Sequence, residues 1–177
     1  PLILVQFTLH FVFAVKAEVV LSFLGVGFSD AVSWGGMIRQ CLDQDFEDIL
    51  AIINDGAEAY RSVIPLDRWK EPYMGTDELR DEIAKGVCFS GAERDNLLVG
   101  VMGIQPVADV ILIRHAYVRT ACQNQGIGGD LLRHLTDRVD LPVLIGTWAA
   151  AQWAIRFYER HGFERVELGE KNQLLTT

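Results

Sequence analysis

The sequence predicts a mixed α/β (α+β) domain over residues 37–177, preceded by an apolar segment over residues 1–36. Beyond residue 36 the hydrophobic spacing changes between helical and strand periods, in the order β-α-α-β-β-β-α-β-α-β. The three consecutive strands are joined by short turns, which is typical of antiparallel pairing. Half of the 177 residues are hydrophobic, which is enough to form a core in a domain of this size.

The first two elements are a strand and a long helix. Residues 37–41 alternate enough for a short strand, and Asp43 is a good N-cap for the helix after it. An amphipathic helix of about four turns is predicted. Its apolar face contains Phe46, Ile49, Leu50, Ile53, Ala57 and Tyr60.

A loop and a second helix come next. Residues 61–75 contain two prolines and a glycine, so we expect an ordered loop. Its Trp69 and Tyr73 are candidates to line a pocket. A helix is expected from Thr76 to about Lys85, where a glycine ends it.

Three strands are then predicted over residues 87–92, 97–105 and 109–118. Polar or proline-containing turns separate them. The third is almost entirely apolar in its first half, which indicates a strand covered on both faces. The sheet should therefore have helices on both sides.

The last elements are a helix from Gly126, a strand at 143–147, a helix at 149–161 and a strand at 163–168. The helix that Gly126 opens has one apolar face. Three aromatic residues in this part are expected in the core: Trp148, Trp153 and Phe157.

Charge and cysteine content exclude several classes of function. The formal net charge is −8 and the pI about 4.9, which argue against a nucleic-acid surface. The three cysteines form no C-x-x-C pair and have no histidine at metal-ligand spacing, so neither a disulfide framework nor a metal site is expected. A reducing cytoplasm is the compartment that suits free thiols.

The most informative stretch lies where the third of these strands meets the next helix. Glycines at 126, 128 and 129 let backbone N–H groups approach a ligand without a Cβ in the way. A helix N-terminus adds free donors and partial positive charge, which together suit a phosphate or diphosphate. Arg114, Arg119 and Arg133 outnumber the one acid between them, Asp130, so we expect a local positive surplus.

Spacing argues against two common phosphate loops. A Walker loop needs a Lys-Ser or Lys-Thr after its glycines, and none is present here. A dinucleotide fingerprint needs a third glycine at a fixed spacing, and Leu131 stands at that position.

Two motifs resemble the GNAT superfamily of acetyltransferases. Gln123-Asn-Gln-Gly-Ile-Gly128 is similar to its Q/R-x-x-G-x-G/A signature, and A-I-R-F-Y-E-R-H-G-F, ending at Phe163, is similar to its "A-x-x-F-Y-E-x-x-G-F" helix. The resemblance covers about residues 37–170. It implies a GNAT-like, mostly antiparallel sheet and acetyl-CoA as co-substrate.

The resemblance also implies a set of cofactor-binding positions. The backbone of the strand end pairs with the pantetheine arm and directs the Val118 or Arg119 amide at the thioester carbonyl, and the glycine turn holds the diphosphate. The implied residues are Tyr117, Val118, Arg119, Gln123, Asn124, Gln125, Gly126, Ile127, Gly128, Gly129 and Ala151. Ala151 stands where many members have an asparagine, and Thr120 where a proline is common. The chain also ends at Thr177, before a seventh strand, so we expect an open edge or a homodimer that completes the sheet.

The catalytic residues are expected to be Tyr158 and His115. A phenol near the sulfur can protonate the leaving thiolate as a general acid. A histidine on the preceding strand has a suitable pKa for a general base, although a packed core histidine is the alternative. Glu71, Asp109 and a water relay remain further candidates for the base.

The N-terminal segment does not fit the same domain. Through the stretch 21–38, residues 1–38 resemble the end of an inner-membrane permease subunit of peptide-type ABC transporters, so we expect a fusion, a misassigned start or a gene fragment, with Met37 as the native start. An amphipathic anchor helix is the alternative. Any membrane contact is expected only through residues 1–28, whose apolar runs flank Lys16 and Glu18.

The sequence therefore predicts a cytoplasmic N-acetyltransferase that acts on a primary amine of a small molecule or peptide. An acyl-CoA-binding domain without turnover is the second hypothesis. A nonfunctional fusion product is the third.

Overall fold

The computed structural model describes residues 36–166, where five strands form one sheet in chain order. The strands are β1 (Gly36–Gln40), β2 (Cys88–Arg94), β3 (Leu97–Val107), β4 (Val110–Val118) and β5 (Val143–Ile145). The helices are α1 (Phe46–Ala57), α2 (Thr76–Ala84), α3 (Ile127–Thr136) and α4 (Gln152–Arg160). The predicted mixed α/β fold is confirmed.

The sheet is mostly antiparallel, as predicted. β2 pairs with β3, and β3 with β4, in antiparallel register, whereas β4 and β5 are parallel. The parallel pairing runs only from Ile111, opposite Val143, to Ile113, opposite Ile145. β4 then continues alone to Val118, so its last five residues face a gap on the β5 side.

A β-bulge lies in β4 at the start of that unpaired stretch. Val101 is opposite Tyr117 and Gly103 is opposite Arg114, so β4 has one residue more than β3 over this interval. His115 lies within the bulge with a φ of +51°, which is uncommon for a residue with a Cβ. A bulge bends its strand and redirects its side chains, and here it separates the paired half of β4 from the free half.

Helices cover both faces of the sheet because β2, β3 and β4 are apolar on both sides. On one face Ile52 and Ile53 of α1 and Leu79 of α2 are fully buried against the sheet. On the other, Leu131 and Leu132 of α3 are buried equally well. Complete burial of such a side chain stabilises the fold by roughly 1.5–3 kcal/mol.

Two local predictions were wrong. Asp45, not Asp43, accepts the Leu42 N–H at 2.7 Å, because Asp45 is held there by ion pairs with Arg39. Arg39 also contacts Glu93, so the cluster joins β1, the start of α1 and β2. The Arg39 guanidinium lowers the pKa of the Asp45 carboxyl to about 2.

The predicted last strand, residues 163–168, is also not formed over 163–166, the part that the structure describes. Phe163–Val166 have no strand pairing, and 167–168 lie outside the described residues. Phe163 instead packs its ring 5.5 Å from that of Tyr158. The predicted N-terminal appendage lies outside the described residues except for Gly36, and its assignment stays a prediction. No helix within residues 36–166 is both long and apolar enough to cross a bilayer.

Candidate functional site

The N-terminus of α3 has the backbone donors that the sequence predicted. Gly126 is its N-cap, with a φ of +85° that favours glycine. The first helical hydrogen bond runs from the Asp130 N–H to the Gly126 carbonyl at 3.0 Å. The N–H groups of Ile127, Gly128 and Gly129 precede that bond, and no described side chain caps them. These three amides form what we call the mouth of α3.

The glycines give the mouth one open side and one packed side. A Cβ on Gly126 would meet nothing within 4 Å. A Cβ on Gly128 would touch the Phe157 ring at 3.5 Å, and one on Gly129 would be 2.8 Å from Nε2 of His161. The C-terminal half of α4 therefore packs against one side of the mouth, while the Gly126 side is accessible to a ligand.

The loop before α3 presents its amides and side chains around the same opening. Gln123 is half-buried, and its side-chain Nε2 donates to the Val118 carbonyl at 3.3 Å. Asn124 is exposed with a φ of +60°. The Gln125 side-chain oxygen accepts a hydrogen bond from the guanidinium of Arg94. The predicted loop residues thus lie together at the mouth.

The expected positive surplus is not available to a ligand. Arg114 pairs with Glu82 at 2.7 Å, Arg119 with Asp48 at 3.1 Å, and Arg133 with Asp130. Each of the three arginines is thus neutralised by a carboxylate, two of them from distant parts of the chain. The prediction from local charge counting was wrong.

Arg94 supplies the charge that those arginines do not. It ends β2, and it contacts no carboxylate within the described part of the chain. No local pattern pointed to Arg94, because it precedes the glycine turn by about thirty residues. The antiparallel β2–β3 hairpin brings it beside Gln125.

The end of β4 differs from expectation at one residue. The Arg119 N–H donates to the Val99 carbonyl at 2.8 Å, and its Nε donates to the Leu98 carbonyl at 2.9 Å. Because that amide is occupied, Arg119 is not free to stabilise a thioester oxygen. Neighbouring amides of an extended strand point to opposite edges, so the Val118 N–H is directed toward the gap beside β5.

All four tyrosines of the chain come together near that gap, joined by two tryptophans. The Tyr117 and Tyr60 rings are 6.2 Å apart, as are those of Tyr117 and Tyr73. Tyr60 also lies 5.2 Å from Trp153, and Tyr73 lies 5.5 Å from Trp69. We call this set the aromatic cluster: Tyr60, Trp69, Tyr73, Tyr117, Trp153 and Tyr158.

Tyr158 belongs to the cluster through its hydroxyl. Its ring packs edge-on against Phe157 at 5.0 Å. Burial raises the pKa of Tyr158, and the nearby Tyr60 raises it further. Burial likewise raises the pKa of Tyr117, and the nearby Tyr158 also raises it. The Tyr158 phenol is therefore protonated at neutral pH, as a proton donor must be.

The second predicted catalytic residue, His115, is placed differently. Its ring stacks on Phe89 at 6.1 Å, and its Nε2 lies 3.4 Å from a carboxylate oxygen of Glu82. Burial lowers the pKa of His115, although Glu82 partly offsets this, so the ring is neutral at pH 7. It has the right protonation state for a base, but its Nε2 faces α2. Its catalytic role stays a prediction.

Three other predicted positions can also be placed. Glu71 accepts from Arg61 at 2.8 Å and from the Trp69 indole at 3.1 Å, beside the aromatic cluster. Asp109 lies in the turn that precedes β4, whereas Tyr117 lies near the other end of that strand. The structure therefore does not bring Asp109 to the site. Ala151 is fully buried at the start of α4.

The prediction that the late aromatic residues are core residues was only partly right. Phe157 packs against Gly128 and the α3 side of the core. Trp148 and Trp153 are 36% and 39% exposed. Trp153 turns outward because it lies in the first turn of α4, next to Tyr60, rather than on the face that packs on α3.

Comparison with known families agrees with this geometry. Residues 85–165, which run from the end of α2 through α4, match the family described as Acetyltransferase (GNAT) domain. That range includes the mouth of α3, the free half of β4, and Tyr158. Residues 85–165 are therefore similar to a GNAT acetyltransferase domain. Residues 1–38 lie outside this match, and their permease resemblance stays a prediction.

Solved structures of acetyltransferases share this fold. The PaiA N-acetyltransferase of Thermoplasma acidophilum, crystallised with coenzyme A, is 20% identical with a TM-score of 0.61, over 73% of this chain and 89% of that one. A ribosomal-protein-alanine N-acetyltransferase from Brucella melitensis is 24% identical with a TM-score of 0.59, over 74% and 86%. A GNAT acetyltransferase from the same organism, crystallised with acetyl-CoA, is 20% identical with a TM-score of 0.56, over 73% and 83%.

Within residues 36–166 no three His, Cys, Asp or Glu side chains converge as they would around a metal ion. Cys41, Cys88 and Cys122 are free thiols.

Proposed function

We propose that this protein transfers an acetyl group from acetyl-CoA to a primary amine of a small molecule or peptide. One observation supports this more than any other. The mouth of α3 adjoins the end of β4, since a Cβ on Gly128 would lie 3.9 Å from the Val118 side chain, and Tyr117 of the same free half of β4 lies near Tyr158. An anion site, a free strand edge and a proton donor in that order match the three parts of an acyl-CoA.

The cofactor's diphosphate fits the mouth. The amides of Ile127, Gly128 and Gly129 are free to donate, and the side next to Gly126 is open. Gln125 and Arg94 extend the opening with a guanidinium, which can bind a phosphate through two N–H groups. The structures of similar fold that contain coenzyme A or acetyl-CoA support this choice of ligand.

The pantetheine arm fits the free half of β4. Its amide groups can pair with the backbone at Val118, where β5 no longer pairs. Gln123 stabilises this edge by donating to the Val118 carbonyl. Ala151 is fully buried, so it offers no side-chain contact to the arm.

The chemistry is determined by the groups around the gap. Bound acetyl-CoA supplies a thioester, whose C–S bond breaks as the bond from its carbonyl carbon to the amine nitrogen forms. The Val118 N–H is directed to stabilise the negative charge on the carbonyl oxygen. Tyr158 donates its proton to the departing sulfur. The amine loses its proton to the neutral His115 or to water.

Replacing Tyr158 with Phe tests this mechanism. The change removes the proton donor but keeps the ring that packs on Phe157 and Phe163. We expect kcat to fall about 100-fold, while the KM for acetyl-CoA changes less than about twofold. A free-thiol release assay over a panel of amines measures both quantities. An unchanged kcat would remove Tyr158 from the mechanism.

The same assay separates turnover from binding alone. Because Ala151 replaces a cofactor contact, an acyl-CoA-binding domain without turnover is the second candidate. It predicts heat of binding with acetyl-CoA and no thiol release with any amine. The free thiols suit the cytoplasm, where we place the protein. A homodimer that completes the sheet stays a prediction.

A further inference from the structure

The bulge in β4 brings two consecutive side chains to one carboxylate of α2. In a regular strand Arg114 and His115 would point to opposite faces, because side chains alternate. Here the Arg114 guanidinium donates to both oxygens of Glu82, at 2.9 and 2.7 Å, and Nε2 of His115 lies 3.4 Å from one of them. The extra residue of the bulge lets both side chains share this partner.

Glu82 determines which nitrogen of His115 carries a proton. Burial acts to raise the pKa of the Glu82 carboxyl, but the hydrogen bond and the charge of Arg114 outweigh burial and lower this pKa. An ionised carboxylate only accepts hydrogen bonds, so the His115 nitrogen that faces it must be an N–H. In the neutral ring the nitrogen without a proton is therefore Nδ1.

The Nδ1 atom of His115 is accessible to solvent. It makes no hydrogen bond within residues 36–166, where no buried side-chain nitrogen or oxygen is left without a partner. Nδ1 is therefore not buried, although the side chain as a whole is only 16% exposed. The ring stacks on Phe89, with 25° between the two planes, which restricts its rotation. One nitrogen is thus held by a carboxylate while the other can accept a proton.

The charges around His115 come from two elements. Burial lowers its pKa most, Glu82 and Glu78 of α2 raise it, and Arg114 of β4 lowers it. From β2 the ring meets only the uncharged side chain of Phe89. The net effect is a pKa below the ordinary value, which leaves Nδ1 without a proton at neutral pH. The Glu82 carboxylate is also placed to stabilise the imidazolium that forms when Nδ1 accepts a proton.

We propose that Glu82 is a positioning residue for acetyl transfer: by accepting the Nε2 proton, it fixes His115 in the tautomer whose Nδ1 takes the proton of the amine. This inference rests on the proposed function and selects His115 rather than water as the base. His115 lies three residues before the Val118 N–H that is directed at the thioester oxygen. The two candidates for oxyanion stabilisation and proton removal therefore lie on the same free half of β4.

The proton balance of the step follows from this assignment. As the C–N bond forms, the amine gives a proton to Nδ1 of His115, directly or through one bridging water. As the C–S bond breaks, Tyr158 gives its proton to the sulfur. His115 then releases its proton to solvent, and the Tyr158 phenolate takes one up.

Replacing Glu82 with Gln in the full chain tests the positioning role. Activity is lost as pH falls through the pKa of His115, and removal of the carboxylate charge lowers that pKa. The acid limb of the kcat profile should therefore move about one pH unit lower. A merely structural role of Glu82 would reduce kcat and leave the limb in place. Asp81→Asn is the matched control, because the next residue toward the start of α2 loses the same charge from an exposed position.

His115→Gln gives a second kinetic measurement. We expect kcat to fall about 100-fold and the acid limb to disappear. All profiles use the amine of the thiol-release panel with the fastest turnover, at saturating concentrations of both substrates. A limb that persists without His115, or that keeps its position without Glu82, would overturn the inference.

Nitrogen NMR of isotope-labelled histidine reads the tautomer without turnover. The His115→Gln spectrum assigns the signals, and we expect the proton on Nε2 in the unmodified chain and a lower titration midpoint in the Glu82→Gln variant. A proton on Nδ1, or an unchanged midpoint, would overturn the role of Glu82 alone. A chain that releases no thiol with any amine of the panel would overturn the proposed function and the base assignment with it.

Discussion

At the scale of single residues, Arg94 is the group that adds positive charge to the mouth of α3. The three arginines nearest to it in sequence are held by Glu82, Asp48 and Asp130. Arg94 contacts an uncharged amide oxygen, that of Gln125, and this contact leaves its charge uncompensated within the described residues. A phosphate bound at the mouth would be the anion that neutralises the Arg94 guanidinium.

Replacing Arg94 with Gln is therefore expected to weaken acetyl-CoA binding about tenfold, because a charge-assisted hydrogen bond contributes roughly 1.5–3 kcal/mol and this one is partly exposed. Arg138→Gln is the matched control. Arg138 also contacts no carboxylate among residues 36–166, but it donates to the His134 carbonyl near the opposite end of α3. Calorimetric titration measures both Kd values. Equal affinities in the two variants would exclude Arg94 from the phosphate site.

Some of these residue-level features could be predicted from sequence and others could not. The free amides of α3 arise from a local pattern, since three glycines at a helix start determine their own backbone. The partners of Arg119 and Arg114 are 71 and 32 residues away, so only the folded chain reveals that their charges are neutralised. Tyr60, Tyr117 and Tyr158 are likewise far apart in sequence, so only the folded chain reveals that they converge.

At the scale of elements, the pairing of β3 with β4 determines the geometry of the site. Gly103 of β3 lies opposite Arg114, immediately before the bulge at His115. A Cβ at Gly103 would be 2.8 Å from the Val87 side chain and 3.0 Å from the Arg114 carbonyl oxygen. The backbone carbonyl cannot move away without disturbing the strand pair, so this position requires glycine.

Gly103→Ala is accordingly expected to lower the free energy of unfolding by about 1–3 kcal/mol, the usual cost of overpacking a core. Gly146→Ala is the control, because a Cβ there meets nothing within 4 Å, and its effect should stay within about 0.5 kcal/mol. Urea denaturation followed by circular dichroism compares them. If both variants unfold at the wild-type midpoint, the tight β3–β4 contact does not exist in solution.

Element types were easier to predict than element edges. Apolar spacing located the described helices and strands because each buries one or two continuous faces. The bulge in β4 left no sequence signal, since His115 and its neighbours continue an ordinary strand pattern. The outward position of Trp153 was missed because a helix's apolar residues do not reveal which of them border a cleft.

At the scale of the whole molecule, the parting of β4 from β5 brings the separate features into one site. Helices cover both faces of the sheet. An extended ligand can therefore pair with the edge of β4 that β5 does not cover. The mouth of α3 adjoins this edge at Val118, and the aromatic cluster adjoins it at Tyr117. The proposed function requires above all that the mouth holds a diphosphate and thereby places a thioester beside Tyr158.

The affinity of the protein for two thioesters tests that requirement. Acetyl-CoA and S-acetylpantetheine share the acetyl group and the pantetheine arm, but only the first has phosphates. Several charge-assisted hydrogen bonds at the mouth predict that calorimetry will find S-acetylpantetheine bound at least about 100-fold more weakly. Dissociation constants within threefold of each other would show that the mouth of α3 does not bind the diphosphate, and the proposed function would lose its basis.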